Sequence, residues 1–264
     1  MLALLRANVP QIFSVGLSVF VVYQLICRLN RRQQRRILTL AIQARRKRRD
    51  DGVERTLDAL KRTPAETRIA IRALTFPELV GALRDGQFTC VAVLHAYQEA
   101  AYEAHEKTNC LCEFVESAES VAASLDAKYT TPASRPPLFG VPFSVKESNN
   151  LAGYDNTRGY AQFLGKVATE DAYFVKALRE LGAVPFARTN IPQSLLSFSC
   201  SNPIYGTTNH PLLPSRTAGG SSGGEAALLA CRGQSVRLNP AVFCITVPLC
   251  VTFNGSPANE TDLT

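Results

Sequence analysis

The sequence contains no tryptophan and only three histidines. The histidines lie far apart and form no metal-binding motif. None of its eight cysteines forms the Cys-x-x-Cys pair that is typical of structural zinc sites. We therefore expect neither a metal nor a cofactor. Reduced thiols in a cytosol-facing domain are the simplest interpretation of the cysteines.

The positive charge is concentrated in one place. The net charge is +7, but the excess falls in one short segment and the rest of the chain is near balance. No aromatic side chain interleaves this segment and no zinc-finger spacing follows it, which argues against nucleic acid as a partner. A basic block beside an apolar stretch favours membrane lipid instead. The block consists of Arg28, Arg31, Arg32, Arg35, Arg36, Arg45, Arg46, Lys47, Arg48 and Arg49.

Residues 7–27 contain no charged side chain, and this length is about what one helix needs to cross a bilayer. The basic residues follow the apolar stretch and no Ala-x-Ala cleavage site is present, unlike a secretory signal. By the positive-inside rule we predict a single-pass anchor, with the main domain on the cytoplasmic side of the endoplasmic reticulum or another endomembrane. Pro10, Gln11 and Gln24 make the span marginal, and a buried core helix is the alternative.

Residues 28–62 are predicted to form a long basic helix whose arginines are too dense for burial. This helix either lies along an anionic leaflet or forms a solvated stalk, and the sequence does not separate the two. From residue 63 to residue 230 helical spacing alternates with short apolar strands. We therefore predict an α/β domain with a mixed, mainly parallel sheet flanked by helices.

Lys146 ends an apolar segment, residues 138–145, that reads as a buried strand. A lysine in this position is usually a surface residue with a buried stem. In open α/β sheets, however, ligand sites gather at the carboxyl ends of strands. By itself the lysine is only a weak candidate for a catalytic group.

The segment Gly-Gly-Ser-Ser-Gly-Gly-Glu at 219–225 runs directly into a series of helix-forming residues. Glycine permits close backbone approach, and the start of a helix presents unpaired N–H groups to the loop before it. A flexible linker is the alternative, but the segment abuts an apolar helix. A phosphate-binding loop is excluded, since no Gly-Lys-Ser/Thr follows at the required spacing.

Four segments occur in the order of the amidase-signature family. They are Gly-Val-Pro-Phe-Ser-Val-Lys-Glu at 140–147, Thr-Asn-Ile-Pro-Gln-Ser at 189–194, Ser-Asn-Pro at 201–203 and the glycine loop at 219–225. The joint pattern covers roughly residues 65–230 and is far more specific than any part of it. With the N-terminal anchor, it resembles the fatty acid amide hydrolase group of that family.

The resemblance implies a partial amidase-signature fold and hydrolysis of fatty acid amides through a Ser–Ser–Lys triad. By motif position Lys146 is the base and Ser221 is the serine that relays the proton. Ser222 is expected to support the site. The segment that contains Leu195, Leu196 and Ser197 is expected to lie on the acyl-binding side.

The sequence departs from the family after the glycine loop. The family's nucleophile lies in a later run that ends Asp-Ile-Gly-Gly-Ser, and this sequence contains no such run. We interpret residues 63–230 as the N-terminal part of a truncated domain and residues 231–264 as a divergent tail. Because the nucleophile and the oxyanion donors are missing, we predict that the chain alone is inactive. The alternatives are a non-catalytic anchored form that forms a homodimer or pairs with a full-length homologue, and a basic anchor whose remainder is poorly folded.

Overall fold

The computed structural model describes residues 2–232, with side chains for residues 17–231. The chain divides into two compact units, residues 1–43 and residues 44–264. Of the tail predicted at 231–264, Cys231 and Arg232 belong to the last helix. The rest of that tail lies outside the described residues.

The first unit is formed by the N-terminal part of helix α1, which spans Leu2–Leu60. The transmembrane anchor predicted at residues 7–27 is not supported, because no helix in the described part of the chain is long and apolar enough to cross a membrane. The described apolar stretch begins at Leu17, and Arg28 follows soon after it. The side chains of residues 7–16, which complete the predicted anchor, lie outside the described ones.

The second unit contains the remaining elements. Its helices are α2 (Ala65–Ala73), α3 (Phe76–Asp85), α4 (Cys90–Thr108), α5 (Ala118–Lys128), α6 (Tyr173–Glu180) and α7 (Gly223–Arg232), and its strands are β1 (Leu111–Phe114), β2 (Pro142–Lys146), β3 (Val184–Thr189), β4 (Ser201–Asn202) and β5 (Gly206–Thr207). The α/β class predicted from the sequence is confirmed.

The helix starts follow from local chemistry. At the start of α3 the Thr75 hydroxyl accepts a hydrogen bond from the Glu78 N–H, and the Glu78 carboxylate accepts one from the Thr75 N–H at 2.6 Å. This reciprocal pair is a capping box. At the start of α4 the Thr89 hydroxyl accepts from the Ala92 N–H. These side chains fix where α3 and α4 begin.

The main sheet has three strands in the order β1-β3-β2. β2 runs parallel to β3, and this pairing places Lys146 beside Thr189. β1 runs antiparallel to β3. The prediction of a mixed sheet is therefore correct, but only one of the two pairings is parallel. Pro185 lies within the central strand, and the β2–β3 register shifts nearby, between Phe143 and Ser144, because proline cannot donate to a ladder.

The core of the second unit is built around α4, which packs against α2, α5 and α7. Val93, Leu94 and Ala101 of α4 are fully buried. All residues of β2 and β3 are buried as well. Because α7 packs on α4 and contacts β2, the start of α7 lies close to the end of the strand that carries Lys146.

One arginine of the basic block is buried, contrary to the prediction that residues 28–62 are too basic for burial. The Arg45 guanidinium donates to Glu113 at 3.0 Å and also to Asp155. Two carboxylates compensate its charge, and this makes burial possible. The second compact unit, which begins at Ala44, includes this arginine.

Candidate active site

Lys146 and the two serines of the glycine loop lie together. The Lys146 side chain is only 9% exposed, and its Nζ donates to Ser221 Oγ at 2.9 Å and to Ser222 Oγ at 2.8 Å. The lysine ends β2, and the serines immediately precede α7. Ser221 is partly exposed, whereas Ser222 is buried. The Ser221 hydroxyl is therefore accessible from outside the site, and the Ser222 hydroxyl is enclosed.

The glycine loop is fixed by close backbone contacts. A Cβ atom at Gly224 would lie 2.6 Å from both the Asn190 and the Cys110 carbonyl oxygens, so only glycine fits there. The Gly224 N–H donates to the Asn190 carbonyl at 2.9 Å. The Gly220–Ser221 peptide bond is cis. The loop is thus a packed element and not a flexible linker.

Glu225 joins the first turn of α7 to both strands beneath it. The Ser144 hydroxyl of β2 donates to Glu225 Oε2 at 2.8 Å, and the Thr189 hydroxyl of β3 donates to Oε1 at 2.8 Å. The Glu225 side chain is buried. Because Ser144 lies two residues before Lys146, these bonds set the position of the serine loop relative to the lysine.

A buried ionic cluster holds the backbone that follows Lys146. Arg188 is fully buried, and its guanidinium donates to the Glu147 carbonyl at 2.6 Å and to Glu113 Oε1 at 2.9 Å. The Glu147 carboxylate accepts from the Thr157 N–H and hydroxyl at 2.7 and 2.6 Å. Burial raises the pKa of Glu147, and Arg188 and the Thr157 bonds oppose that rise.

Asn190 organises the segment between β3 and the glycine loop. Its Oδ1 accepts from Asn202 Nδ2 at 2.7 Å and from the Ile191 N–H at 3.0 Å. Its amide nitrogen donates to the Thr208 hydroxyl at 3.0 Å. Asn202 Nδ2 also donates to the Ile191 carbonyl at 2.7 Å. The two asparagines of the Asn-Ile-Pro and Ser-Asn-Pro segments therefore bond directly to each other.

The predicted acyl-side segment touches the glycine loop through its backbone. The Ser197 carbonyl oxygen occupies the space that a Cβ atom at Gly220 would need. Leu196 is 90% exposed and Leu195 is partly buried with a φ of 63°. The segment thus borders the serine loop and presents an apolar side chain to solvent.

Cys200 is a further nucleophilic side chain near the loop, since its Sγ lies close to Gly223. Burial raises the pKa of its thiol, while the Thr208 hydroxyl, the Gly224 N–H and Lys146 lower it in part. A thiol with a raised pKa stays protonated near neutral pH and reacts slowly. The serines are therefore the better candidates for chemistry at this site. Among residues 17–231, whose side chains are described, no cluster of His, Cys, Asp and Glu could hold a metal ion.

The sequence alone makes no prediction for Glu225, Ser144 and Thr189, although they hold the site together. One signal points to Glu225, since a carboxylate flanked by glycines and an apolar helix has to be buried and therefore needs donors. No comparable signal marks Ser144 or Thr189. Their partners lie 81 and 36 residues away in the sequence.

Comparison with known proteins identifies the family. The Amidase family model matches residues 92–238. The chain is 42% identical over 214 residues to fatty acid amide hydrolase 1 of Caenorhabditis elegans, covering 81% of this chain and 37% of that protein. It is 43% identical over 174 residues to amidase 1 of Gibberella moniliformis, covering 65% of this chain and 33% of that protein.

The fold comparison agrees. A solved structure of fatty acid amide hydrolase superposes with a TM-score of 0.67 and 25% identity, covering 74% of this chain and 38% of that chain. The chain thus spans well under half the length of each of these relatives. It belongs to the amidase family of amide hydrolases, with the amidase-signature fold.

Proposed function

We propose that this chain carries the proton-transfer part of a Ser–Ser–Lys site for the hydrolysis of fatty acid amides. The observation that supports this most directly is the contact of Lys146 Nζ with both serine hydroxyls, at 2.9 and 2.8 Å. A lysine, two serines and a constricted glycine loop meet at the end of a strand. This arrangement suits the activation of a hydroxyl nucleophile.

Lys146 acts as the general base in this proposal. A lysine accepts a proton only in its neutral form, and Lys146 Nζ lies 2.9 Å from Ser221 Oγ, within reach of the proton of that hydroxyl. Ser221 relays the proton, because its hydroxyl contacts the lysine and is also partly exposed toward an incoming group. Ser222 is buried and serves to orient the lysine Nζ. The leaving amine receives the proton by the reverse path.

The substrate class rests on the relatives and on the segment beside the serine loop. The relative in Caenorhabditis elegans and the superposed solved structure are both named fatty acid amide hydrolases. Leu196 and Phe198 are exposed on the segment that borders Gly220. We assign this segment, with Leu195 and Ser197, to contact with the acyl chain, whose apolar surface gains from leaving water.

The nucleophilic serine and the oxyanion donors are not supplied by this sequence. Without them the lysine and the relay serine have no hydroxyl to activate, and triad members act as a unit. We therefore propose that a polypeptide of these 264 residues has no amidase turnover of its own. Turnover requires a segment that places a serine within reach of Ser221.

Labelling with a fluorophosphonate, read by intact mass, tests the proposal. We expect no adduct on the 264-residue chain, and a stoichiometric adduct once it is fused to the part of nematode fatty acid amide hydrolase 1 beyond the matched region. Lys146→Ala in the fusion should slow labelling strongly, while the exposed Lys107→Ala should not. An adduct on Ser221 or Ser222 of the unfused chain would overturn the division of roles proposed here.

A further inference from the structure

A cavity lies in the globular unit away from the Lys146 site, and none of its lining residues belongs to that site. Its volume is about 450 Å³, within the range of small-molecule sites. One wall is a single face of α1, from Gly52 through Thr56 to Ala59. The other walls are α4, the residues at the end of β1 and the first turn of α5.

Gln98 of α4 lines this cavity with an amide that has no protein partner. The residue is 5% exposed, and its side chain makes no hydrogen bond with any described residue. A glutamine amide offers two donors and an acceptor. The Gln98 amide atoms are not among the fully buried unpaired ones and keep access to solvent, so a polar ligand in the cavity can pair with them in place of water.

His95 adds a second unpaired group nearby. It lies one turn before Gln98 on the same face of α4 and is fully buried. Its Nδ1 pairs with the Thr63 hydroxyl at 2.7 Å, but its Nε2 has no partner. Glu119 Oε2 lies 4.0 Å from that Nε2, and Glu119 also lines the cavity. His95 lies behind the wall and does not line the cavity, so Gln98 is the α4 residue that presents unused hydrogen-bonding capacity to it.

The charges at the cavity are already paired. Glu116 meets Arg55 at 3.0 Å and Arg48 at 3.5 Å, and Glu119 meets Arg62 at 2.6 Å. A charged ligand would have to displace one of these partners. The buried Phe114 and the neighbouring Ala59 supply apolar surface beside the Gln98 amide. The wall is therefore suited to a ligand without net charge.

We propose that this cavity binds an uncharged small molecule with an amide or hydroxyl headgroup and an apolar body. The headgroup pairs with the Gln98 amide, and the body lies against Phe114 and the α1 face at Ala59. Because the ligand contacts both α1 and α4, its binding stabilises the packing of residues 52–59 on the rest of the unit.

The test uses benzamide as the probe, with benzoate and benzylamine as charged analogues of the same shape. Saturation-transfer NMR on the 264-residue chain gives the affinities, and the melting temperature reports stabilisation. We expect saturable benzamide binding that raises the melting temperature, and binding at least tenfold weaker for each charged analogue. Equal binding of the three probes would contradict the proposal.

Substitutions locate the probe. Gln98→Met keeps the length of the side chain and should weaken benzamide about tenfold, and Ala59→Phe should abolish binding by filling the cavity. Ala123→Phe, at an exposed position of α5, is the matched control and should bind as the parent does. Binding that survives Ala59→Phe but disappears in Lys146→Ala would place benzamide at the Lys146 site and overturn the proposal.

Discussion

The Ser144 hydroxyl donates a 2.8 Å hydrogen bond to Glu225 Oε2 across 81 residues of sequence. Ser144 lies on the strand that ends at Lys146, and Glu225 lies in the first turn of the helix that follows Ser221 and Ser222. This hydrogen bond and the one from the Thr189 hydroxyl to Glu225 Oε1 together set the separation of the lysine and the serines.

Glu225→Ala should destabilise the fold by about 2 to 5 kcal/mol, because it leaves the buried hydroxyls of Ser144 and Thr189 without their acceptor. Urea unfolding followed by circular dichroism measures the loss. Glu180→Ala, at an exposed position, should cost less than about 0.5 kcal/mol. Equal losses in the two variants would show that the Glu225 contacts contribute nothing specific.

Lys146→Ala should lower the turnover of a fatty acid amide by about 10²- to 10⁴-fold in the fusion that carries the nucleophile segment, since general base catalysis typically contributes that much. Ser221→Ala should lose a comparable factor because it interrupts the relay. Ser215→Ala, an exposed serine before the loop, should stay within a factor of about two of the parent. Retained turnover in Ser221→Ala would refute the relay role.

Gly224→Ala and Gly81→Ala should have opposite effects. A Cβ atom at Gly224 meets the Asn190 and Cys110 carbonyl oxygens at 2.6 Å, and this overpacking should cost about 1 to 3 kcal/mol or more. At Gly81, within α3, a Cβ atom meets nothing within 4 Å, so alanine should add about 1 kcal/mol through helix propensity. Melting temperatures that move in the same direction would contradict this.

Glu113→Gln should destabilise the second unit by about 3 to 5 kcal/mol. The Glu113 carboxylate compensates the buried Arg45 and Arg188 guanidinium groups, at 3.0 and 2.9 Å, and its removal leaves uncompensated buried charge. Glu103→Gln disrupts the more exposed pair with Arg72 and should cost less than about 1 kcal/mol. The denaturant midpoints of the two variants measure these two losses of stability. Equal losses would contradict the role given to Glu113.

Stability should fall as the pH drops from 6.5 toward 4, in part through His105. Burial, with a contribution from Arg49, lowers the pKa of His105 to about 4, and its Nδ1 accepts from the Leu111 N–H at 3.0 Å. The unfolded chain binds a proton below pH 6.5 whereas the folded chain stays neutral until about pH 4, so acid favours unfolding in that window.

This pKa shift corresponds to at most about 3 kcal/mol of unfolding free energy. Partial exposure of His105 to solvent makes the actual contribution smaller. His105→Gln should flatten the dependence of the unfolding free energy on pH between 4 and 6.5. His95, whose pKa burial also lowers, should account for part of the remainder, which His95→Gln measures. A slope unchanged in both variants would contradict this assignment.

Features with local causes could be predicted from the sequence. The starts of α3 and α4 depend on Thr75 and Thr89 and on N–H groups a few residues away. The ordered motifs ending in the glycine loop identified the family, and the alternation of helices and strands indicated the α/β class. Each of these signals lies within a short window, where periodicity and capping dominate.

The structure does not support two expectations for the N-terminal segments. Residues 7–27 were predicted to span a membrane because they lack charge, but no described helix is apolar enough. The basic block was predicted to stay exposed, yet Arg45 is buried because Glu113 and Asp155 meet it from positions 68 and 110 residues away. Composition does not reveal partners at that distance.

By itself the sequence determined the family, the α/β class and the residue types of the candidate site, because each is encoded in short ordered motifs. Only the tertiary structure decided that β1 runs antiparallel to β3 and that Glu225 joins Ser144 to Thr189. It also brought Lys146 to the serines across 75 residues. Such contacts depend on how strands and helices pack, and a buried polar group takes the partner that packing brings near, whatever its distance along the chain.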